Sequence, residues 1–271
     1  KRLSLDIEFI NKTKDFFKLP NLKIKEKSVS FPEDIDFNNW LMRNVIKHKI
    51  KGYSVVLISL KENGKPPGDA TSNQMRKIAT ISKEFSFSEI RVTHEQNLVL
   101  PHIENSKLSE VWGKLEESGL ATPNLGFISD TICCPGMDYC ALATARSIPI
   151  SNKISKKYED FNNQNDIGNL KIKISGCINA CGHHHVGNIG ILGLERNGQE
   201  SYQLTLGGSA DENASIGEIL GPSFQEDKLM QAIEKILIVY KENRNNKNED
   251  FLKVFKRIGI TPFKEGVYDN T

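Results

Sequence analysis

The chain has 271 residues, 38% of them hydrophobic and 26% charged, with a formal charge of +2. That composition excludes a disordered tail, because it supplies enough apolar material for one large or two modest cores, and the near-neutral balance gives no bulk case for a nucleic-acid partner. The longest apolar runs, residues 53–60 and 236–240, are far too short to span a bilayer, and Lys1, Arg2, Asp6 and Glu8 break any apolar leader at the start.

Residues 1–47 mix charged and aromatic positions around the breaks Pro20 and Pro32 and read as a lead-in or interface segment. Residues 53–60 then read as a buried strand and 61–68 as a loop. Met75, Ile78, Ala79 and Ile81 form a helical stripe after Ser72, and residues 89–93 and 97–100 have strand character. Leu108, Val111, Trp112 and Leu115 lie at i, i+3, i+4 and i+7, one face of a second helix. Strand, helix, two strands, helix is most of a ferredoxin-like split pattern; residues 125–128 are the candidate for its last strand.

Beyond Thr131 the order predicted is a cysteine loop, a helix over 138–146, a strand over 170–174, a second cysteine loop, and strands over 188–194 and 202–206. Leu229, Ile233, Ile236, Leu237 and Tyr240 place a helix near the end, and residues 251–258 give another. The class is α+β: a lead-in over 1–47, a ferredoxin-like half-domain over 48–125 and a second α+β domain over 126–271.

Four of the five cysteines form two brackets, Cys134-x5-Cys140 and Cys177-x3-Cys181. Two short brackets far apart in sequence let distant segments supply four thiolates to one centre, and their softness selects zinc, copper(I) or an iron–sulfur cluster. Structural zinc is normally held by tight knuckles of two to four intervening residues, which the x5 bracket does not match. A cubane tolerates wider loops, so iron–sulfur is favoured. Cys133 reads as a small buried apolar residue.

The run from Thr131 to Ile150 (TICCPGMDYCALATARSIPI), the run from Ile174 to Gly193 (ISGCINACGHHHVGNIGILG) and Leu204 to Gly208 closely resemble the sirohaem and 4Fe-4S domain of assimilatory sulfite and nitrite reductases. Upstream, PGDAT at 67–71 and RVTHEQNL at 91–98 resemble the ferredoxin-like half-domain that precedes it in that family. The resemblance implies that Cys134, Cys140, Cys177 and Cys181 hold the cubane as metal ligands and that Cys181 also bridges to the sirohaem iron. Asn179, Gln96 and Arg91 are its further candidates for cofactor binding. The implied reaction is six-electron reduction of sulfite to sulfide, with nitrite to ammonium as the sibling. Reduced ferredoxin or an NADPH flavoprotein is the implied donor; no Rossmann glycine fingerprint is present for a nicotinamide site.

In that family the hemoprotein has two related halves, and the cations that hold the substrate belong to the first. This chain resembles the second half, so the missing N-terminal half is an expected partner and no catalytic acid is assigned. Thiolate ligands to an oxygen-sensitive cluster require a reducing compartment, so the cytoplasm is expected, with no membrane and no nucleic acid involved. The alternatives are a cubane electron-transfer module without haem and a zinc-stapled structural domain. His183, His184 and His185 are consecutive and point to alternate sides of an extended chain, which argues against a shared metal. Gly182, Gly187, Gly190, Gly207 and Gly208 fit either turns or close approach to a flat macrocycle.

Overall fold

A computed structural model describes residues 6–16, 20–24 and 30–268; Lys1 and Arg2 lie outside them. Helices α1 (Ile7–Phe16) and α2 (Ile35–Asn44) come first, followed by strands β1 (Val45–Lys47) and β2 (Tyr53–Ile58). Helix α3 (Ser72–Phe85), strands β3 (Arg91–Val92) and β4 (Leu98–Glu104) and helix α4 (Leu108–Glu116) complete the ferredoxin-like unit. Its antiparallel sheet has the order β1-β2-β4-β3. The register slips by a bulge between Ser54 and Val56, opposite the stretch of β4 that contains Pro101, a residue that cannot donate to a ladder.

Helices α2 and α3 of this unit each have a capped start and a buried face. Thr71 and Gln74 form a reciprocal capping box at α3, which buries Ile78, Ile81, Ser82 and Phe85. Helix α2 is capped by Asp34 and buries Phe37 and Trp40, both 0% exposed, in the same core as Val56, Ile81, Leu100 and Val111. Residues 35–47 therefore pack as part of the ferredoxin-like unit, which corrects the reading of residues 1–47 as a lead-in. The sheet is completed by β1, not by residues 125–128. There Gly126 has φ +75° and donates its N–H to Asp130 Oδ2 at 2.9 Å, so the segment is a tight turn.

The second domain begins with β5 (Ile132–Cys133), α5 (Ile148–Lys157), α6 (Phe161–Ile167) and β6 (Ile172–Ser175). Strands β7 (Ile189–Arg196), β8 (Gln199–Leu206) and β9 (Glu218–Ile219) and helices α7 (Glu226–Asn243), α8 (Phe251–Ile258) and α9 (Thr261–Tyr268) follow. The sheet order is β5-β6-β7-β8-β9, parallel from β5 to β7 and antiparallel afterwards. Asn197 and Gly198, both at positive φ, make the two-residue turn between β7 and β8. Ile172 and Ile174 of β6, Ile189 and Ile191 of β7 and Leu204 and Leu206 of β8 share one core with Ile233, Ile236 and Tyr240 of α7. The turn at His184, which ends the second cysteine loop, lies over the opposite face, where a Cβ at Gly190 would stand 2.1 Å from His184 O.

No helix lies over 138–146. Thr144 and Ala145 donate their N–H groups to the Gly176 carbonyl at 2.9 and 3.0 Å, long-range bonds that replace an intrahelical ladder, and the helix starts later at Ile148. Among the described residues no helix is long and apolar enough to cross a membrane.

Helix α6 docks on the end of α7 through Asp166. Lys241 Nζ and Arg244 Nη2 each approach its carboxylate at 2.7 Å, and these two bonds, Lys241 first, hold it down at about 2. A folded-state pKa below the unfolded value of about 4 contributes stability above that pH and loses it as pH falls toward about 2. The side chain is 37% exposed, which screens the effect to a modest one. The melting temperature of Asp166→Asn is thus expected below that of the parent at pH 7, with the gap closing near pH 2; an equal gap at both pH values contradicts this.

Candidate cofactor-binding site

The first bracket leaves the sheet at the end of β5, where successive side chains take opposite directions. Cys133 pairs in register with Ile174, is 3% exposed and belongs to the core. Burial, and next the neighbouring Cys134, pushes its thiol up to about 12, so it stays protonated at neutral pH. Cys134 has different company: Ser147 Oγ lies 3.4 Å from its Sγ, and the Gly176 N–H donates to that sulfur at 3.1 Å. Cys140 is tethered by its own N–H to the Gly136 carbonyl at 2.9 Å.

The second bracket is built from two consecutive turns. Ala180 N–H donates to the Cys177 carbonyl at 3.2 Å and His183 N–H to the Ala180 carbonyl at 2.7 Å, with φ of +57° at Ala180 and +54° at His183. Such left-handed values at non-glycine residues cost free energy and recur at functional sites. Cys177 is buried and Cys181 exposed, so the bracket runs from the protein interior to its surface.

One residue joins the two brackets. Gly176 precedes Cys177, gives its N–H to Cys134 and accepts from Thr144 and Ala145 in the first loop. A Cβ there would stand 2.6 Å from Ala145 O and 3.0 Å from Gly136 Cα. The loops thus sit back to back along a backbone seam. Among the described residues no three of the cysteine, histidine or carboxylate side chains come together as a metal group, so the structure couples the two loops at Gly176 without gathering their four sulfurs. Soft thiolates on two coupled loops, with an N–H aimed at one of them, are the chemistry an iron–sulfur cluster uses.

Gln96 acts on the same loop from the other domain. It closes the β3–β4 hairpin at φ +57°, in a turn pinned by Thr93 Oγ1, which accepts from the N–H groups of Glu95 and Asn97. Its side-chain amide donates to the Cys133 carbonyl at 2.9 Å and accepts from the Cys133 N–H at 3.2 Å. The amide therefore clips the outer edge of β5 like a neighbouring strand, one residue before Cys134. Gln96→Ala leaves both Cys133 backbone groups without that partner and is expected to cost about 1–3 kcal/mol. Faster amide exchange at Cys133 checks the clip, and unchanged exchange contradicts it.

Arg91 is exposed and paired with Glu89 at 2.6 Å. Asn179 is exposed between the two cysteines of its bracket. The three histidines differ in burial: His184 is buried, and burial, then His185, lowers it to about 4, while His183 and His185 are exposed, the His185 ring lying 3.9 Å from that of His184. The crowded glycines are explained by the chain itself. A Cβ at Gly182 would stand 1.8 Å from Ile174 O, and one at Gly190 would stand 2.1 Å from His184 O, so both allow loop backbone to lie directly on the sheet.

Sequence reasoning misses the junction that aligns the two domains. Lys61, 2% exposed, bonds Asp130 Oδ1 at 2.7 Å and Asn97 Oδ1 at 3.0 Å and also reaches the Glu95 carbonyl. Asn97 Nδ2 donates to the same Asp130 oxygen at 3.2 Å. Arg43 of α2 lies 3.8 Å above the Phe127 ring and bonds Leu125 O and Asn169. These partners are separated by dozens of residues and carry no local motif.

Residues 127–271 match the nitrite and sulphite reductase 4Fe-4S domain, and residues 64–118 match the nitrite/sulfite reductase ferredoxin-like half domain. A chloroplastic ferredoxin–nitrite reductase of Betula pendula is 24% identical over 235 residues, which are 82% of this chain and 38% of the relative. A ferredoxin sulfite reductase of Mycolicibacterium paratuberculosis is 28% identical over 179 residues, 62% of this chain and 32% of the relative. The chain thus spans about a third of the length of these curated relatives. The solved structure of the Mycobacterium tuberculosis NirA protein has the same fold, with a TM-score of 0.65 at 21% identity over 94% of this chain and 46% of that one. A dissimilatory sulfite reductase I structure superposes with a TM-score of 0.66 at 12% identity, over 79% of this chain and 69% of that one.

Proposed function

Because the chain belongs to the nitrite and sulphite reductase family, we propose that Cys134, Cys140, Cys177 and Cys181 ligate a 4Fe-4S cluster, with Cys181 extending to the iron of sirohaem. The seam at Gly176 carries this reading, since it joins the two cysteine loops and aims an N–H at Cys134 Sγ. Exposure of Cys181 at the outer end of its bracket suits a ligand shared with a second cofactor. When bound, the two cofactors supply low-potential electrons to an oxyanion. The chain's own part is to fix the sulfurs, shield the inner ones from water and hold Cys133 out of the ligand set as a buried thiol.

The reaction proposed is six-electron reduction of sulfite to sulfide, in keeping with the higher identity to the sulfite reductase relative. Nitrite reduction is the second reading, favoured by the longer match to a nitrite reductase. Ferredoxin or an NADPH flavoprotein is the proposed donor, and a first half of the hemoprotein the proposed source of substrate-holding cations. The cofactor domain is placed at residues 126–271, behind the ferredoxin-like half-domain, and the protein in the cytoplasm. An absorption spectrum of protein purified without air tests the cofactor reading. A haem Soret band with a cluster shoulder is expected. A shoulder alone points to an electron-transfer module, and a colourless protein overturns the proposal.

A further inference from the structure

Between Met137 and Ala143 the first cysteine loop has no tie of its own to the sheet. Among the described residues, the hydrogen bonds and ion pairs of this stretch all end within residues 136–146. Met137 N–H donates to the Ala145 carbonyl at 3.2 Å, Cys140 N–H to the Gly136 carbonyl, and Ala143 N–H to the Cys140 carbonyl at 3.2 Å, while Asp138 pairs with Arg146 at 3.7 Å. Met137, Tyr139 and Leu142 are exposed, so burial does not fix the stretch either. The place of Cys140 is therefore set by the returning leg, Thr144 to Arg146.

That leg is gripped on two sides. On the inner side the Gly176 carbonyl accepts from the N–H groups of Thr144 and Ala145. On the outer side strand β8 takes Arg146 by both backbone groups: its N–H donates to Glu200 Oε2 at 2.7 Å, and the Tyr202 hydroxyl donates to its carbonyl at 3.0 Å. Glu200 and Tyr202 are two residues apart on one strand, so their side chains leave the same face, and the hydroxyl also lies 3.0 Å from Glu200 Oε2. Tyr202 is 1% exposed and belongs to the domain core, which makes this side of the grip rigid. The Arg146 guanidinium then spans two carboxylates, Glu200 at 3.5 Å on β8 and Asp138 in the loop. Exposed ion pairs alone contribute little, whereas a short bond from a backbone N–H to a carboxylate is charge-assisted and stronger.

We propose that Glu200 is a positioning residue for the cluster site: by holding Arg146 it fixes the leg from which Cys140 hangs. The proposal rests on the reading of Cys140 as a cluster ligand. Glu200 makes two separable contributions, an acceptor for the Arg146 N–H and a charge beside its guanidinium. Glu200→Gln keeps an acceptor and removes the charge, and Glu200→Ala removes both.

Amide exchange of the cofactor-free full chain reads the anchoring without any cofactor. Glu200→Ala is expected to speed exchange at Met137, Cys140 and Arg146 about tenfold, with Ile174 and Ile191 in the sheet unchanged, and Glu200→Gln to restore the parent rates. Two readouts follow on anaerobically purified holoprotein. Iron per chain is expected to fall in Glu200→Ala and to hold in Glu200→Gln. The midpoint potential of the cluster is expected to rise in Glu200→Gln, because an Arg146 charge relieved of one carboxylate favours the more negative, reduced cluster. Unchanged exchange at Met137 and Cys140 in Glu200→Ala overturns the proposal, and so does a rise spread evenly over the sheet, which marks general destabilisation. A Glu200→Gln potential no higher than the parent's also contradicts it. Absence of iron from parent and variants alike would sink the cluster reading, and the exchange comparison would still decide the anchor.

Discussion

Replacing Cys134, Cys140 or Cys177 by serine is expected to abolish the iron–sulfur cluster, whereas Cys133→Ser is expected to retain it. A hydroxyl is a hard, weakly acidic donor and a poor substitute for thiolate on iron. The adjacent pair makes the comparison sharp. Cys134 Sγ receives the Gly176 N–H, while Cys133 is packed with Ile174 and Ile191 and held as a neutral thiol by burial. Cys133→Ser places an extra polar group in the core and is expected to cost about 1–3 kcal/mol in stability without loss of cofactor. Iron and acid-labile sulfide per chain, measured after anaerobic purification, check the assignment. Equal cluster content in the Cys133 and Cys134 variants contradicts it.

The second large effect is expected at the junction between the domains. Asp130→Ala leaves the Lys61 ammonium buried beside Asn97, with the charge that balanced it gone. Breaking a buried pair from one side costs about 3–5 kcal/mol. Lys61→Met is expected to cost less, about 1–3 kcal/mol, because Asp130 keeps the Gly126 N–H and the Asn97 amide as donors. The double variant is expected to fall short of the sum, since the two side chains share one network. Denaturant unfolding of the three variants measures this, and an Asp130→Ala loss below about 1 kcal/mol would contradict the role given to the pair. The same variant is expected to lower cluster retention. Asn97 ties Asp130 to the hairpin that carries Gln96, and Gln96 fixes the residue before Cys134.

Much of the architecture is legible because it is written in local periodicity. The stripe of Leu108, Val111 and Leu115 becomes α4, the cluster of Leu229, Ile233 and Ile236 becomes α7, and residues 251–258 form α8 as read. The misreadings have a common physical origin. Residues 138–146 carry alanines and a leucine suited to a helix, yet Thr144 and Ala145 bond Gly176 more than thirty residues away. Strand β1 has three residues, two of them exposed, and exists only because β2 pairs with it. Helix α6 is hidden by its polar sequence, Asn162-Asn163-Gln164-Asn165-Asp166, and is held by the Asp160 cap and by Arg244. At the site, the spacing of the cysteines is visible in sequence, but the residues that align them are not. Gln96 reads as a group for a cofactor, and its amide is instead engaged with Cys133 backbone.

In the proposed arrangement one thiolate, Cys181, couples the cluster to a haem iron. A shared sulfur must transmit magnetic exchange between the two centres, whereas cofactors held separately would not show it. Mössbauer spectroscopy of the oxidised, isotope-enriched holoprotein reads this directly. Cluster irons that show magnetic splitting induced by the paramagnetic haem iron are expected. A cluster whose irons remain diamagnetic beside a paramagnetic haem would contradict it.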